Sequence, residues 1–229
     1  GIAAECALGL AKECGVRLGL LGRSKPAADA ELAANLERMA KTGVTFEYVS
    51  ADVTDAEQTR AAVLRIEAAL GPVTAVLHGA GANVPQLLTS LDEAAFMEIV
   101  KPKLHGLRHV LAAVKPDRLS LLVAFGSSIA RMGLPGEAHY ATANDWLAEE
   151  VDRWQRGHPH CRCLTLEWSV WSGVGMGYRL GRVDVLAQQG VTPIPTDEGL
   201  RQFRRLLAQP TPSRVVVTGR FGDPPTLSM

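Results

Sequence analysis

Three polar side chains in one short stretch have the types and spacing for carbonyl chemistry. The stretch FGSSIARMGLPGEAHYATAN covers residues 125–144 and places Ser127 thirteen residues before Tyr140, with Asn144 four residues further on. Positions four apart share one face of a helix, so Tyr140 and Asn144 would point the same way on a helix. A hydroxyl and a phenol that meet at one point can both hydrogen-bond a single substrate oxygen. The pattern favours proton transfer at a carbonyl group.

The flanking residues predict the two elements that must bring these groups together. Residues 119–125 are apolar throughout and predict a buried strand that ends just before Ser127. The residues that follow Tyr140 predict a helix over about 140–156. Glycines and a proline between the two elements predict a loop. A strand end and a helix would therefore present Ser127 to the phenol.

The rest of the chain alternates between predicted strands and helices. We predict further strands over residues 16–21, 44–50, 73–77, 163–168 and 214–218. We predict further helices over residues 1–11, 28–41, 56–70, 91–114 and 197–207, with an irregular segment over 169–190. Short strands that alternate with helices imply an α/β fold with a doubly wound, mostly parallel sheet. Without a repeat or a linker, residues 1–229 are predicted to form a single domain.

Composition narrows the class of protein. The 229 residues are 47% hydrophobic and 21% charged, with a formal net charge of zero, which fits one domain with a substantial core. Zero net charge argues against nucleic acid or an anionic membrane as the main partner. The four cysteines form no small-domain disulfide framework and indicate reduced thiols in a cytoplasm. The cluster of His and Cys over residues 158–163 lacks the spacing of metal ligands, so no metal site is predicted.

The 125–144 stretch resembles the catalytic segment of short-chain dehydrogenase/reductases, whose serine and tyrosine stand at this spacing. That superfamily normally has lysine four residues after the tyrosine, where this chain has Asn144. Ketoreductase domains of type I polyketide and fatty acid synthases exchange these two roles and take the lysine from the preceding long helix. The segment VKPKLHGL over residues 100–107 resembles that helix and nominates Lys103 over Lys101. The resemblance thus implies a Rossmann-like fold and a reductase.

The resemblance also implies a role for each of the four residues. Tyr140 would give a proton to the alkoxide that develops when a ketone is reduced, and Lys103 would ease that transfer by stabilising phenolate. Ser127 would hold the carbonyl oxygen. Asn144 would hold Lys103 or a water of the proton relay.

Two turns predict the cofactor. Gly1 and Ile2 resemble the tail of the family's glycine-rich phosphate loop, at the N-terminus of a helix where a pyrophosphate would bind. About twenty residues later, an acidic residue would read the ribose of NAD, but this chain offers Arg23 and Ser24. A guanidinium pairs with a 2′-phosphate that a carboxylate would repel. We therefore predict NADPH as the cofactor, with Arg23 and Ser24 as its readers.

Further cofactor and substrate residues follow from the resemblance. Asp52 and Val53 would flank the adenine, and the backbone of Gly79, Ala80 and Gly81 would pass close to the ribose and nicotinamide. The segment WSVWSGVGM over residues 168–176 resembles the start of a mobile lid in synthase ketoreductases. There Trp171 and Met176 would line an acyl tunnel, although packing roles for both tryptophans of the segment stay open.

The predicted partners are other parts of a synthase. Several arginines would face an acidic acyl carrier protein, unless they simply form a solvated surface: Arg179, Arg182, Arg201, Arg204 and Arg205. The runs HYATANDWLA, EWSVWSGVGMG and TPIP are similar to ketoreductase domains of iterative enediyne polyketide synthases. That similarity implies a carrier-bound β-ketoacyl thioester as substrate and a β-hydroxyacyl product.

Three departures from the family pattern are expected, and two of them concern missing segments. The first strand and most of the glycine loop are missing, as is the structural subdomain that precedes such domains, so the chain is expected to be a fragment of a larger synthase. A noncatalytic scaffold domain and a free-standing short-chain dehydrogenase remain as alternatives. Intact Ser127, Tyr140, Asn144 and Lys103 argue against the scaffold, and the position of the lysine argues against the free-standing enzyme.

Overall fold

The computed structural model describes residues 1–181, 183–188 and 190–219. Helices and strands alternate along it. The strands are β1 (Leu18–Gly22), β2 (Phe46–Ser50), β3 (Ala75–His78), β4 (Leu121–Ser127), β5 (Arg162–Trp168) and β6 (Arg214–Val217). The helices are α1 (Ile2–Cys14), α2 (Ala30–Ala40), α3 (Ala56–Leu70), α4 (Glu93–Ala113), α5 (Ile129–Met132), α6 (Ala138–Gly157), α7 (Met176–Arg179), α8 (Val183–Gln188) and α9 (Thr196–Ala208). Thus the segment predicted to be irregular contains two short helices.

Aspartate side chains begin three of the helices. Asp29, Asp55 and Asp92 each accept a hydrogen bond from the backbone N–H three residues ahead, at 2.9, 3.0 and 2.8 Å. Such N-caps satisfy donors that the first turn of a helix leaves free. At the other end of α1, Gly15 adopts a left-handed conformation with φ of 67°, which ends that helix before β1.

In the part of the chain that the structure describes, all strand pairs are parallel and the strands form two sheets. One contains β1 and β2, and the other has the order β3-β4-β5-β6. Within residues 1–181, 183–188 and 190–219, one edge of β1 and one edge of β3 have no partner strand. The predicted doubly wound, parallel α/β fold is confirmed.

The larger sheet is buried on both faces. On one face, side chains of β4 and β5 pack with α3, α4 and α6 around Leu107, Leu122 and Leu147, none of which is exposed. On the other face, they pack with α1 and α9 around Leu166 and Phe203. This double cover explains why residues 119–125 are apolar without alternation.

The cysteines are all thiols. Cys6, Cys161 and Cys163 are buried, whereas Cys14 at the end of α1 is exposed. Burial raises the pKa of the Cys6 and Cys163 thiols. No helix of the described residues is long and apolar enough to cross a membrane.

Candidate active site

Ser127 is the last residue of β4, at the carboxyl end of the larger sheet. It is only 7% exposed, and its Oγ accepts a hydrogen bond of 3.3 Å from the N–H of Ile129. The N–H of Ser128 in turn donates to the carbonyl of Trp168, at 3.0 Å. The turn after β4 therefore stays attached to β5 and holds the serine at the sheet edge.

Tyr140 and Asn144 lie one turn apart on α6, as their spacing predicts. Asn144 is fully buried, and its Nδ2 donates to the backbone carbonyl of Tyr140 at 2.7 Å. Its Oδ1 has no hydrogen-bond partner among the described residues. A buried acceptor without a partner is costly, so this oxygen is available to an ammonium, an amide or a water.

Lys103 reaches the same place from α4. The side chain is buried, and Nζ lies 5.5 Å from the centre of the Tyr140 ring and 3.3 Å from the carbonyl oxygen of Phe125, to which it donates. Burial lowers the pKa of Lys103 to about 8. Lys101, two residues earlier, is exposed. The structure therefore brings Ser127, Tyr140, Asn144 and Lys103 together.

His78 supports the lysine from β3, and sequence reasoning did not single it out. It is buried, and its Nε2 lies 3.0 Å from the backbone carbonyl of Lys103. Burial and the nearby Lys103 charge lower the pKa of His78 to about 4. The neutral ring thus donates to a helix carbonyl next to Pro102, which itself lacks an N–H for the α4 ladder. In the sequence, the signal for this contact was a histidine at the end of a predicted strand together with a proline inside a predicted helix.

Burial dominates the electrostatics of Tyr140. Burial raises the pKa of its phenol, and the Glu137 charge raises it further, while Asn144 and Ser127 act in the opposite direction. Neither of these two side chains makes a hydrogen bond of regular geometry to the phenol in the described part of the chain. Burial therefore favours the protonated phenol.

Two buried side chains beside Tyr140 were also missed. Glu137 is 2% exposed and His139 is 1% exposed. His139 hydrogen-bonds the carbonyl of Val84 through Nε2 at 2.9 Å, and the loop of Gly136 accepts from the N–H of Gln86 at 2.8 Å. These contacts tie the start of α6 to the loop after β3. Both residues stand in a glycine- and proline-rich stretch that reads as an exposed loop, so the sequence carries no signal for their burial.

The predicted phosphate end of the site lies at the start of α1. Gly1 precedes the first helical residue, Ile2, so the free N–H groups of the first turn point out of the helix here. Gly79 contacts this turn so closely that a side chain at Gly79 would collide with the Cβ of Ala3. The helix N-terminus and the end of β3 therefore meet, and the donors and the missing Cβ suit a pyrophosphate.

Arg23 and Ser24 follow β1 and are exposed. Two hydroxyl groups of β2 fix the backbone of this turn: Tyr48 donates to the carbonyl of Ser24 at 2.5 Å, and Ser50 donates to that of Arg23 at 3.1 Å. The Arg23 side chain takes part in none of the salt bridges within the described ranges. A fixed backbone with an uncommitted guanidinium fits a phosphate group.

The other predicted cofactor residues line the same edge. The Asp52 carboxylate accepts hydrogen bonds from the N–H and the hydroxyl of Thr54, both at 2.8 Å, so it shapes its own turn. Val53 packs against Gly106 of α4. Ala80 is half-buried, and a Cβ on Gly81 would lie 3.3 Å from the Cε of Lys103. The absence of a side chain at Gly81 thus leaves space for the side chain of Lys103.

The prediction that Trp171 lines an acyl tunnel is wrong for this structure. Trp171 is 1% exposed, stacks edge-to-face on Trp168 with ring centres 4.9 Å apart, and fills the space beside Gly199. The packing alternative that the sequence left open therefore holds. Met176 begins the short helix α7 and is half-buried.

Most of the predicted carrier-facing arginines already have acidic neighbours. Arg179 pairs with Glu31 at 3.0 Å, while Arg201 pairs with Glu198 and Arg204 with Glu13. Arg205 donates to the side chain of Gln209 at 3.3 Å. Arg182 lies outside the described residues. Arg179, Arg201 and Arg204 therefore each have an acidic partner within the chain.

Comparisons with known proteins agree with this geometry. A family model described as the KR domain matches residues 1–173. The spectinabilin polyketide synthase system protein NorA' of Streptomyces orinoci is 33% identical over 215 residues, which cover 92% of this chain and 6% of that protein.

Solved structures match over almost the whole chain. A ketoreductase domain from the bacillaene assembly line aligns with a TM-score of 0.81 at 26% identity, over 95% of this chain and 53% of that one. A structure of A-type ketoreductases from a modular polyketide synthase gives 0.80 at 26% identity, over 96% of this chain and 45% of that one. The chain thus spans about half the length of these solved chains.

Proposed function

Because the chain belongs to the ketoreductase (KR) domain family of polyketide synthases, we propose that it reduces a β-ketoacyl thioester to a β-hydroxyacyl thioester with NADPH. One observation carries this proposal: Ser127, Tyr140 and Lys103 come from three separate elements and meet at the carboxyl end of β4. Ligands bind at this edge in open α/β sheets. A hydroxyl, a phenol and a buried ammonium that converge there suit the reduction of a ketone.

The proton is handled by the chain's own residues. When bound, the reduced nicotinamide supplies the hydride that adds to the β-carbon. Tyr140 donates its proton to the oxygen that becomes an alkoxide, and Ser127 hydrogen-bonds the same oxygen. A phenol with an ordinary pKa of about 10 already carries its proton at neutral pH, and burial raises the pKa of Tyr140 further. Lys103 stabilises the phenolate that remains, and the free Oδ1 of Asn144 accepts from the ammonium or from a relay water.

The chain's residues also support the choice of cofactor. The first turn of α1, with Gly1 and Ile2, would hold the pyrophosphate, and Arg23 with Ser24 would hold the 2′-phosphate. Asp52 and Val53 would lie beside the adenine. The glycines after β3 leave room for the ribose and the nicotinamide.

The setting of the reaction follows from the relatives. Since the chain covers 6% of the spectinabilin synthase protein, we propose that residues 1–229 form one catalytic domain of a larger cytoplasmic synthase. An acyl carrier protein would then deliver the polyketide substrate. Assignment to the enediyne subgroup rests on the resemblance of the 139–148 and 167–177 runs and stays a prediction.

The first experiment separates the enzyme from a scaffold. NADPH is titrated into this chain and into a version extended upstream in the parent polypeptide, with nicotinamide fluorescence as the signal. We expect the extended version to bind and to reduce a β-ketoacyl thioester. Tyr140→Phe should lower kcat by about 10²- to 10⁴-fold. If the extended version folds yet binds no NADPH, the reductase proposal fails and the noncatalytic scaffold replaces it.

A matched pair of serines sharpens this test. Ser127→Ala removes the hydroxyl at the carboxyl end of β4, whereas Ser120→Ala removes one at the opposite end, where Ser120 only donates to the carbonyl of Thr74 at 3.0 Å. Only Ser127→Ala should lower kcat. Equal effects of the two variants would refute the assigned role of Ser127.

A further inference from the structure

A fully buried carboxylate lies directly beside the strand that ends in Ser127. Glu167 of β5 pairs in register with Gly126 of β4, and its side chain is 0% exposed. The carboxylate chain passes over Gly126, where an added Cβ would lie 3.3 Å from the Cγ of Glu167. Gly126 thus leaves the space through which Glu167 reaches the turn after β4.

Arg131 of α5 neutralises this carboxylate with both arms of its fork. Its Nε donates to one carboxylate oxygen and its Nη2 to the other, both at 2.7 Å. A bidentate pair of this kind fixes direction as well as distance. The third nitrogen, Nη1, lies 3.6 Å from the carboxylate of Asp145, the residue after Asn144. One guanidinium therefore connects α5, β5 and α6.

The contact continues from Arg131 to the hydroxyl of Ser127. Arg131 holds the four-residue helix α5, whose first N–H, that of Ile129, donates to the Ser127 Oγ. A helix of a single turn has little stability of its own. Its orientation must come from outside contacts, and the charged pair with Glu167 is the strongest of those described above.

We propose that Arg131, held by Glu167, is the positioning residue that sets the Ser127 hydroxyl against the Tyr140 phenol. This inference rests on the proposed ketoreductase function. Arg131 stands four residues after Ser127, on the turn that follows β4. Its guanidinium contacts Glu167 in the neighbouring strand and Asp145, the residue after Asn144. It therefore connects the turn after Ser127 with the helix that carries Tyr140 and Asn144.

The test replaces both charges together, so that neither is left buried alone. In the 229-residue chain, the double variant Arg131→Met with Glu167→Leu removes the ion pair. Arg131→Lys keeps the positive charge but loses the two parallel hydrogen bonds of the guanidinium. Ser127→Ala is the reference variant, because it removes the hydroxyl itself. The matched control is Arg65→Met with Glu47→Leu, which removes a 2.7 Å pair between α3 and β2, away from Ser127. Tyrosine labelled with carbon-13 at Cζ, the atom bonded to the hydroxyl, gives an NMR signal that is sensitive to the hydrogen bonding of each phenol. The signal that disappears in Tyr140→Phe belongs to Tyr140.

The resonance decides the proposal without any turnover. We expect the Tyr140 signal to move in the double variant in the same direction as in Ser127→Ala, to move less in Arg131→Lys, and to stay in place in the control. A double variant that folds with the Tyr140 signal unchanged overturns the proposal. So does an unchanged signal in Ser127→Ala, because Ser127 would then not contact the phenol.

Kinetics of the upstream-extended form provide the second measurement. The double variant should lose about 10- to 100-fold in kcat, as expected for a misplaced catalytic group, with the KM for NADPH unchanged. An unchanged kcat overturns the positioning role. If the unsubstituted extended form has no reductase activity, the proposed function fails, while the Tyr140 resonance still decides whether Arg131 holds Ser127.

Discussion

The polar residues beside the two sheets of this molecule differ in how deeply they are buried. At the carboxyl end of the sheet of β3 to β6, Ser127 and the helix residues Lys103 and Asn144 are at most 7% exposed. In the sheet of β1 and β2, Arg23 and Ser24 are exposed, and only their backbone is fixed. Groups that act on a developing charge work best when water is excluded and the geometry is set in advance. Groups that capture a phosphate remain hydrated until the ligand arrives.

The hydrophobic core beside the larger sheet is also more extensive than the core beside the smaller sheet. The larger sheet is packed on both faces, whereas the smaller one has a cluster of four buried residues: Val49, Ala51, Ala62 and Ile66. The candidate catalytic residues thus lie beside the larger of the two cores. Binding of the 2′-phosphate is assigned to the end of the sheet with the smaller core.

The largest expected effect tests this difference in packing. Leu122→Ala on β4 removes a side chain with no exposure and should lower the free energy of unfolding by about 4 kcal/mol. Leu21→Ala on β1 removes a half-buried side chain and should cost about 1 kcal/mol. Chemical denaturation of both variants measures the difference. Equal losses would show that the smaller sheet is as well supported as the larger one.

The second effect concerns the buried charge of Lys103. Since burial lowers the pKa of Lys103 to about 8 from 10.5, the unfolded chain binds more protons than the folded chain between those two pH values. The unfolding free energy contributed by this group therefore rises with pH across that window. Lys103→Met should be more stable than the unsubstituted chain by roughly 2–3 kcal/mol at pH 7, and the gain should shrink towards pH 10.

The neighbouring Lys101 is the control for this titration. Lys101 is exposed on the same helix, so Lys101→Met should leave the pH dependence of unfolding as it is. Parallel stability curves for Lys103→Met and the unsubstituted chain would mean that Lys103 is not desolvated.

The third effect lies at the exposed cofactor end. Arg23→Ala should weaken NADPH binding by about 10- to 100-fold and leave NADH binding nearly unchanged, because a charged hydrogen bond to the 2′-phosphate is lost. Arg60→Ala, which removes an exposed arginine of α3, serves as the control. Equal losses for both cofactors in Arg23→Ala would refute the assignment of the 2′-phosphate to this residue.

The smallest effect concerns the contact between α7 and α2. Arg179 and Glu31 form a pair at 3.0 Å in which both side chains are more than half exposed. Such pairs contribute little, so Glu31→Ala should change the free energy of unfolding by less than about 1 kcal/mol. A larger loss by denaturant titration would mean that α7 is held mainly by this pair.

The sequence predicted those features that depend on local spacing. The distance from Tyr140 to Asn144 on a helix, the apolar strand before Ser127 and the arginine after β1 follow from periodicity and turn composition. They were found where the pattern placed them. Helix boundaries moved by one or two residues where capping decided, as at Asp29 and Asp92.

Features that depend on long-range packing could not be predicted. Arg131 lies 36 residues from its partner Glu167, and Arg179 lies 148 residues from Glu31, so neither pair leaves a signal in local sequence. Trp171 was misjudged because a tryptophan near a lid suits either a tunnel or a core. Only the position of Gly199 beside its ring shows which. Likewise, nothing local reveals that Glu137 and His139 are buried.

The distribution of the thiols offers a chemical way to count folded molecules. With Cys14 exposed and the other three cysteines buried, a maleimide dye should attach once per folded chain and four times per denatured chain. Cys14 lies at the C-terminal end of α1, and Gly1 lies at the N-terminal end. A dye on Cys14 is therefore separated from the proposed phosphate site by the length of the helix. The ratio of labels before and after denaturation would measure the folded fraction in any preparation.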